Sequence, residues 1–170
     1  GLESAVSKEV DAIFNELKLK CRQKASDNYN FEYDQIISLG EVISTKIVAA
    51  YLQKENFQCS WLDARKMIRT TDRWREANIH WEKTEELVTV AVNHVFSDGK
   101  TIAITQGFIG HTPEGFTTSL GREGSDFTAA ILAFVLNAED VTIWKDVPGM
   151  LNADPKYFDN TVLLEKISFR

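Results

Sequence analysis

The densest chemistry in the sequence lies between Thr117 and Ala130, which read Thr-Thr-Ser-Leu-Gly-Arg-Glu-Gly-Ser-Asp-Phe-Thr-Ala-Ala. Gly121 and Gly124 let a backbone turn at positive φ or approach a ligand closely. A small-residue loop that feeds a helix leaves free N–H groups, and the helix dipole there favours an anion. Arg122 supplies a planar fork matched to a carboxylate or phosphate. No Lys follows the last glycine, so this is not a Walker A loop, and the spacing is not GxGxxG. A plainer reading stays open: Ser125 or Asp126 caps the helix and Arg122 is a surface charge.

Three further segments share the layout of a loop after a strand. In Gly40-Glu41-Val42-Ile43-Ser44-Thr45 a glycine precedes a helix whose first turn carries an acid, and Glu41 could hold an ammonium group or simply complement the dipole. Gln106-Gly107-Phe108-Ile109-Gly110 reads as a ligand loop or as an ordinary turn over a buried Phe108. In Trp144-Lys145-Asp146-Val147-Pro148-Gly149, followed by Ala153-Asp154-Pro155-Lys156, charges mix with turn formers. Lys145 and Lys156 could approach phosphates, or the segment is a solvated loop.

These loops need elements to hold them. Helical spacing of apolar residues predicts helices over Ser4–Lys24, Val42–Gln53, Trp81–Phe96 and Ser125–Leu136. Short apolar runs predict strands over Gln35–Leu39, Gln58–Leu62, Thr101–Gln106 and Val141–Trp144. Asp63–Arg75 reads as irregular, Gly110–Gly124 as a loop or β-hairpin, and Leu163–Ile167 as the start of a short element. Strands alternating with helices predict an α/β fold with a mostly parallel sheet between helix layers. Ligands in such folds sit beyond the carboxyl ends of strands, where these loops fall. No repeat or linker divides the 170 residues, so one domain is expected.

Composition sets limits. A net charge of -6 argues against nucleic-acid or anionic-membrane partners, which need basic patches. No apolar run is read as long enough to span a bilayer, and no signal peptide opens the chain. Cys21 and Cys59 read as buried free thiols in a reducing cytosol. His80, His94 and His111 match no metal spacing, so no transition metal is expected. The opening residue is not Met, and Gly1 reads as a tag remnant on a fragment.

Taken in order, these segments resemble aspartokinase, within the amino acid kinase family. The resemblance runs from about Asp34 to the last residue. It rests on Gly40-Glu41-Val42-Ile43-Ser44, Asp63-Ala64-Arg65 with Arg69-Thr70-Thr71-Asp72, Gly107-Phe108-Ile109-Gly110, Leu120 through Asp126, and Lys145 through Gly149 with Ala153-Asp154-Pro155. Each piece is weak alone, and order and spacing make the set specific. The resemblance implies a three-layer α/β/α sandwich. It implies transfer of the ATP γ-phosphoryl group to the side-chain carboxylate of L-aspartate, the entry step to lysine, threonine and methionine synthesis, with Mg²⁺ carried by ATP. It also implies a cytoplasmic, homo-oligomeric parent. Glu41 and Arg122 would hold the amino and carboxylate groups of aspartate, and Ser125 and Phe108 would close around it. Asp126 would organise the transferring group as the catalytic residue, and Lys145, Asp146 and Lys156 would lie at the nucleotide. Other readings within reach are a kinase for acetylglutamate or glutamate, and a non-catalytic amino-acid-binding module.

Departures from the family pattern are Lys145 for Thr, Leu151 for Tyr, Lys156 for Arg and Ser119 for Thr. The family's opening Lys-Phe-Gly-Gly strand, a motif beyond the Ile167–Arg170 region and the ACT regulatory domains do not occur in the 170 residues. The expectation that follows is a fragment that folds without turning over alone.

Overall fold

The structure, a computed structural model, describes residues 2–147 and 149–168, with side chains from residue 5 onward. Gly1, Pro148 of the expected Pro148-Gly149 turn, Phe169 and Arg170 lie outside the described residues. In chain order the elements are α1 (Leu2–Arg22), α2 (Tyr29–Lys54), β1 (Cys59–Trp61), a 3₁₀ turn (Ala64–Lys66), α3 (Trp81–Ser97), β2 (Ile102–Ile104), β3 (Ile109–His111), β4 (Thr117–Ser119) and α4 (Gly124–Leu136). The class is α/β. β1 and β2 pair in parallel, Cys59 opposite Ile102 and Trp61 opposite Ile104. β3 and β4 form an antiparallel hairpin, Ile109 opposite Ser119. α1 packs on α2, α2 leans on β1 and β4, and α3 leans on β2 and α4. The core they share holds Val42, Met67, Ile68, Val88, Val92, Ile109 and Ile131.

α2 corrects the reading of Gln35–Leu39 as a strand. The helix starts at Asn28, whose side chain accepts the Phe31 N–H at 3.1 Å, and runs unbroken through Gly40 to Lys54. Gln35, Ser38, Leu39, Val42 and Ala49 are its buried face, a spacing of three to four residues, while Ile36 and Ile37 point outward. The period is helical, and hydropathy alone hides it because polar Asp34, Gln35 and Ser38 are the buried members. Gly40 and Glu41 therefore sit in mid-helix, not at a strand end.

By length and composition alone this 26-residue helix holds a stretch that would reach across a bilayer, which corrects the reading that no run is long enough. Its inward polar groups are instead bonded to protein. The Gln35 amide donates to Thr117 O at 2.7 Å and accepts from Thr117 N at 3.2 Å.

Val141–Trp144 forms no strand, and Trp144 is 91% exposed. A strand is stable only when its N–H and C=O groups find a neighbour, and among the described residues none lies alongside. The tail is tied instead by a bridge between Leu151 and Leu163, the point where a short element was expected. Both cysteines are free. Cys59 is buried as expected, whereas Cys21 is exposed on α1.

Candidate active site

Two segments meet to make the site: the loop leaving β2 and the loop entering α4. The first is fixed by Gln106, which is fully buried. Its carbonyl accepts the Ala64 N–H at 2.8 Å, and its amide donates to Thr45 Oγ1 at 2.9 Å and Leu62 O at 3.2 Å. The Trp61 indole N–H also donates to Thr45 Oγ1, at 3.0 Å. Thr45 on α2 thus ties the ends of β1 and β2 together.

Beyond Gln106 the two segments close on each other. A Cβ on Gly107 would stand 2.9 Å from the Ser125 Cα, and one on Gly124 would stand 2.7 Å from the Phe108 ring. Only glycine permits that approach. Phe108 is half-buried and adopts φ 72°, a left-handed conformation that a bulky residue rarely keeps. It is held there from both sides. Its N–H donates to Thr128 Oγ1 at 2.9 Å and its C=O accepts the Leu120 N–H at 2.8 Å.

The α4 loop is braced by a buried carboxylate. Asp34, at 0% exposure, accepts Ser119 Oγ–H at 2.6 Å, Ser119 N–H at 3.0 Å and Arg75 N–H at 2.9 Å. Gly121 then turns at φ 81° and Glu123 at φ 58° before α4 begins at Gly124. Glu123 occupies the cap position without a capping side-chain bond, so neither Ser125 nor Asp126 is the cap.

A cavity of about 880 Å³ opens beside this junction, lined among others by Tyr33, Arg73, Trp74, Arg75, Phe108 and Arg122. Arg75 lies over the Tyr33 ring at 4.6 Å, and Arg73 pairs with Glu76 at 2.7 Å. The Arg122 side chain is 95% exposed, with Glu123 3.8 Å away, so most of its fork is open to a ligand.

The expected site residues fall into four groups. Phe108 and Arg122 line the cavity, and Ser125 abuts Gly107 at its edge. Asp126 is engaged by Lys145 at 2.6 Å, with Glu123 3.8 Å from the same ammonium. These carboxylates hold the Lys145 pKa above the usual lysine value, the Asp126 contact first. Glu41 lies one helical turn before Thr45, whose Oγ1–H donates to the Glu41 carbonyl at 2.9 Å. Burial raises its pKa, and among the described residues no cation pairs with it. Asp146 adds only a distant charge near Lys145. Lys156 sits in a separate turn where its N–H donates to Asp154 Oδ1, and no contact joins it to the others.

Asp34, Thr45, Gln106 and the Arg73–Arg75 pair were not singled out from the sequence.

Fold and site together define an α/β domain with an anion-receptive cavity where a strand-end loop meets a helix N-terminus. The chain belongs to the amino acid kinase family, whose model matches residues 3–170. It is 34% identical over 166 residues to lysine-sensitive aspartokinase 3 of Escherichia coli (strain K12), which covers 98% of this chain and 36% of that relative. It is 33% identical over 141 residues to chloroplastic bifunctional aspartokinase/homoserine dehydrogenase 1 of Arabidopsis thaliana, covering 81% of this chain and 15% of that one. Crystal structures of E. coli aspartokinase III are similar in fold. The complex with aspartate and ADP gives a TM-score of 0.84 at 32% identity over 94% of this chain and 35% of that one. The complex with lysine and aspartate gives 0.83 at 32% identity over 96% and 36%. The chain thus spans little more than a third of the E. coli relative's length.

Proposed function

We propose that this chain is a single-domain catalytic segment of an aspartate kinase. It would take part in moving the γ-phosphoryl group of ATP to the side-chain carboxylate of L-aspartate, giving 4-phospho-L-aspartate for lysine, threonine and methionine synthesis. The observation that carries the reading is the closure of Phe108 onto Gly124 and Gly107 onto Ser125. It sets an open guanidinium, Arg122, beside the Asp126–Lys145 pair. A small amino acid needs such a cation for its α-carboxylate and an acid for its ammonium, a role we assign to Glu41.

In the reaction a carboxylate oxygen of aspartate attacks the γ-phosphorus and the bond to the β-phosphate oxygen breaks, releasing ADP. The nucleophile is already ionised at neutral pH, so no strong base is required. The work is positioning and charge neutralisation. Arg122 and Glu41 would fix the substrate backbone, Phe108 and Ser125 would close over it, and Asp126 would organise the incoming phosphoryl group. Lys145 beside Asp126 would neutralise charge at the nucleotide together with Asp146, and Lys156 would have to reach the nucleotide from its separate turn. Mg²⁺ would arrive with ATP and supply further neutralisation.

Calorimetric titration of the chain and of Arg122→Ala with L-aspartate, N-acetyl-L-glutamate and MgATP tests this. Aspartate heat that disappears in Arg122→Ala is expected. Undiminished aspartate binding in the variant, or a preference for N-acetyl-L-glutamate, would overturn the assignment.

A further inference from the structure

A second cavity, of about 520 Å³, shares no lining residue with the first. Arg69, Ile79, Trp81 and Pro113 form most of its wall, with His80, Glu82 and Lys83 at the first turn of α3. The backbone of Arg69 is fully used: its N–H donates to Thr84 Oγ1 at 3.0 Å, and its C=O accepts the His80 N–H at 2.9 Å. Its guanidinium is not. The Nε–H is shut off from solvent and has no partner. No carboxylate among the described residues lies within ion-pair distance of Arg69, since Asp63 is taken by Arg65 and Glu76 by Arg73.

The neighbours do not make good this lack. His111, bridged to Arg69 along the backbone, uses Nδ1 on Thr112 O at 2.8 Å, and its other nitrogen is also buried and unpartnered. Glu114 is at the surface and feels the Arg69 charge without contacting it. Lys83 is occupied by Glu86 at 2.6 Å. With its Nε–H unpaired and no carboxylate in ion-pair range, the Arg69 guanidinium that lines the cavity carries an uncompensated charge, which points to an anion that arrives from outside.

The remaining wall says what that anion is attached to. Ile79 and Pro113 are apolar, and the Trp81 indole is 46% exposed and braced edge-on by Phe134, ring centres 5.6 Å apart. An indole face so held stacks on a flat body. Glu82 on the rim opposes a second negative charge, which disfavours a phosphate dianion. We propose that this cavity binds a small organic carboxylate, with its charge on Arg69 and a flat apolar body against Trp81. The site is separate from the one assigned to aspartate.

Nuclear magnetic resonance of the ¹⁵N-labelled chain titrated with benzoate tests the proposal, with acetate, inorganic phosphate and benzyl alcohol as comparison probes. Benzoate is expected to shift the Trp81 indole and Arg69 Nε–H signals saturably and more tightly than any of the other three. Arg69→Gln should weaken benzoate by about tenfold, the loss of one charge-assisted contact. Should Arg69→Gln fail to fold, Trp81→Ala removes only a half-exposed ring and should weaken benzoate without affecting acetate. Arg122→Ala should leave benzoate binding unchanged. Benzoate binding that neither the Arg69 nor the Trp81 variant weakens, phosphate binding as tight as benzoate, or loss of benzoate binding in Arg122→Ala would each overturn it.

Discussion

Replacing Asp34 tests the bracing of the site most directly. Its two carboxylate oxygens receive three donors from parts of the chain 41 and 85 residues away. Asp34→Ala would leave the buried Ser119 N–H and the part-buried Arg75 N–H without acceptors. Each such group costs about 1–3 kcal/mol, so a total loss of ~3–5 kcal/mol is expected. Asp34→Asn is gentler. Its carbonyl can take the place of Oδ2 and accept both N–H groups, while the Ser119 hydroxyl rotates to accept from the amide. Only the charge assistance is lost, a cost of about 1–2 kcal/mol. Urea unfolding of wild type, both variants and Ser119→Ala, with the slope held constant, measures the order. A coupling of ~1 kcal/mol between Asp34→Asn and Ser119→Ala is expected from the double-mutant cycle. Equal costs for Asn and Ala, or a cost for Ala below about 1 kcal/mol, would refute the claim that this carboxylate holds the cavity wall.

Burial raises the Glu41 pKa above its ordinary 4.5, so the folded chain holds this proton more tightly than the unfolded one. Stability therefore falls as pH rises from 4.5 through the raised value and stays lower above it. Glu41→Gln should melt higher than wild type near neutral pH and equally below 4.5, while losing aspartate binding; a variant less stable at neutral pH would show the opposite sign. Gly124→Ala would place a methyl group against the Phe108 ring and should cost about 1–3 kcal/mol and weaken aspartate binding, read by urea unfolding and calorimetry; unchanged stability would show that the ring yields freely. Glu123 stands at φ 58° with only 3.8 Å ion contacts, so thermal melting should show Glu123→Gly about 1 kcal/mol more stable than Glu123→Ala, and no difference would mean the left-handed cap carries no strain.

Much of the scaffold was legible because it obeys local rules. α3 and α4 show helical spacing, β1 and β2 are short apolar runs, and the glycine-rich stretch from Gly110 to Gly124 folds into a hairpin and loop. The failures have physical causes. α2 buries Asp34 and Gln35 and exposes Ile36 and Ile37, the inverse of the hydropathy rule. The inversion is stable because β4 supplies donors and acceptors for the buried pair, and those partners are invisible until the chain has folded. Val141–Trp144 has strand propensity, but propensity needs a paired edge.

The backbone strain leads to the same place. Among the described residues, five non-glycine residues have positive φ. Asn56 and Asn137 follow helix ends, where asparagine commonly turns the chain. The other three are Arg75, Phe108 and Glu123, types that gain nothing from that conformation. Arg75 and Phe108 line the larger cavity, and Glu123 stands next to Arg122 at its rim. Arg75 is held from afar by Asp34 and Phe108 by Thr128 and Leu120, while Glu123 is held by the local Gly121 turn before α4. A fold under no other demand would relax such residues or replace them with glycine. Their gathering around one cavity supports the proposal that this cavity, and not the loop sequence alone, is where the chain binds its substrate.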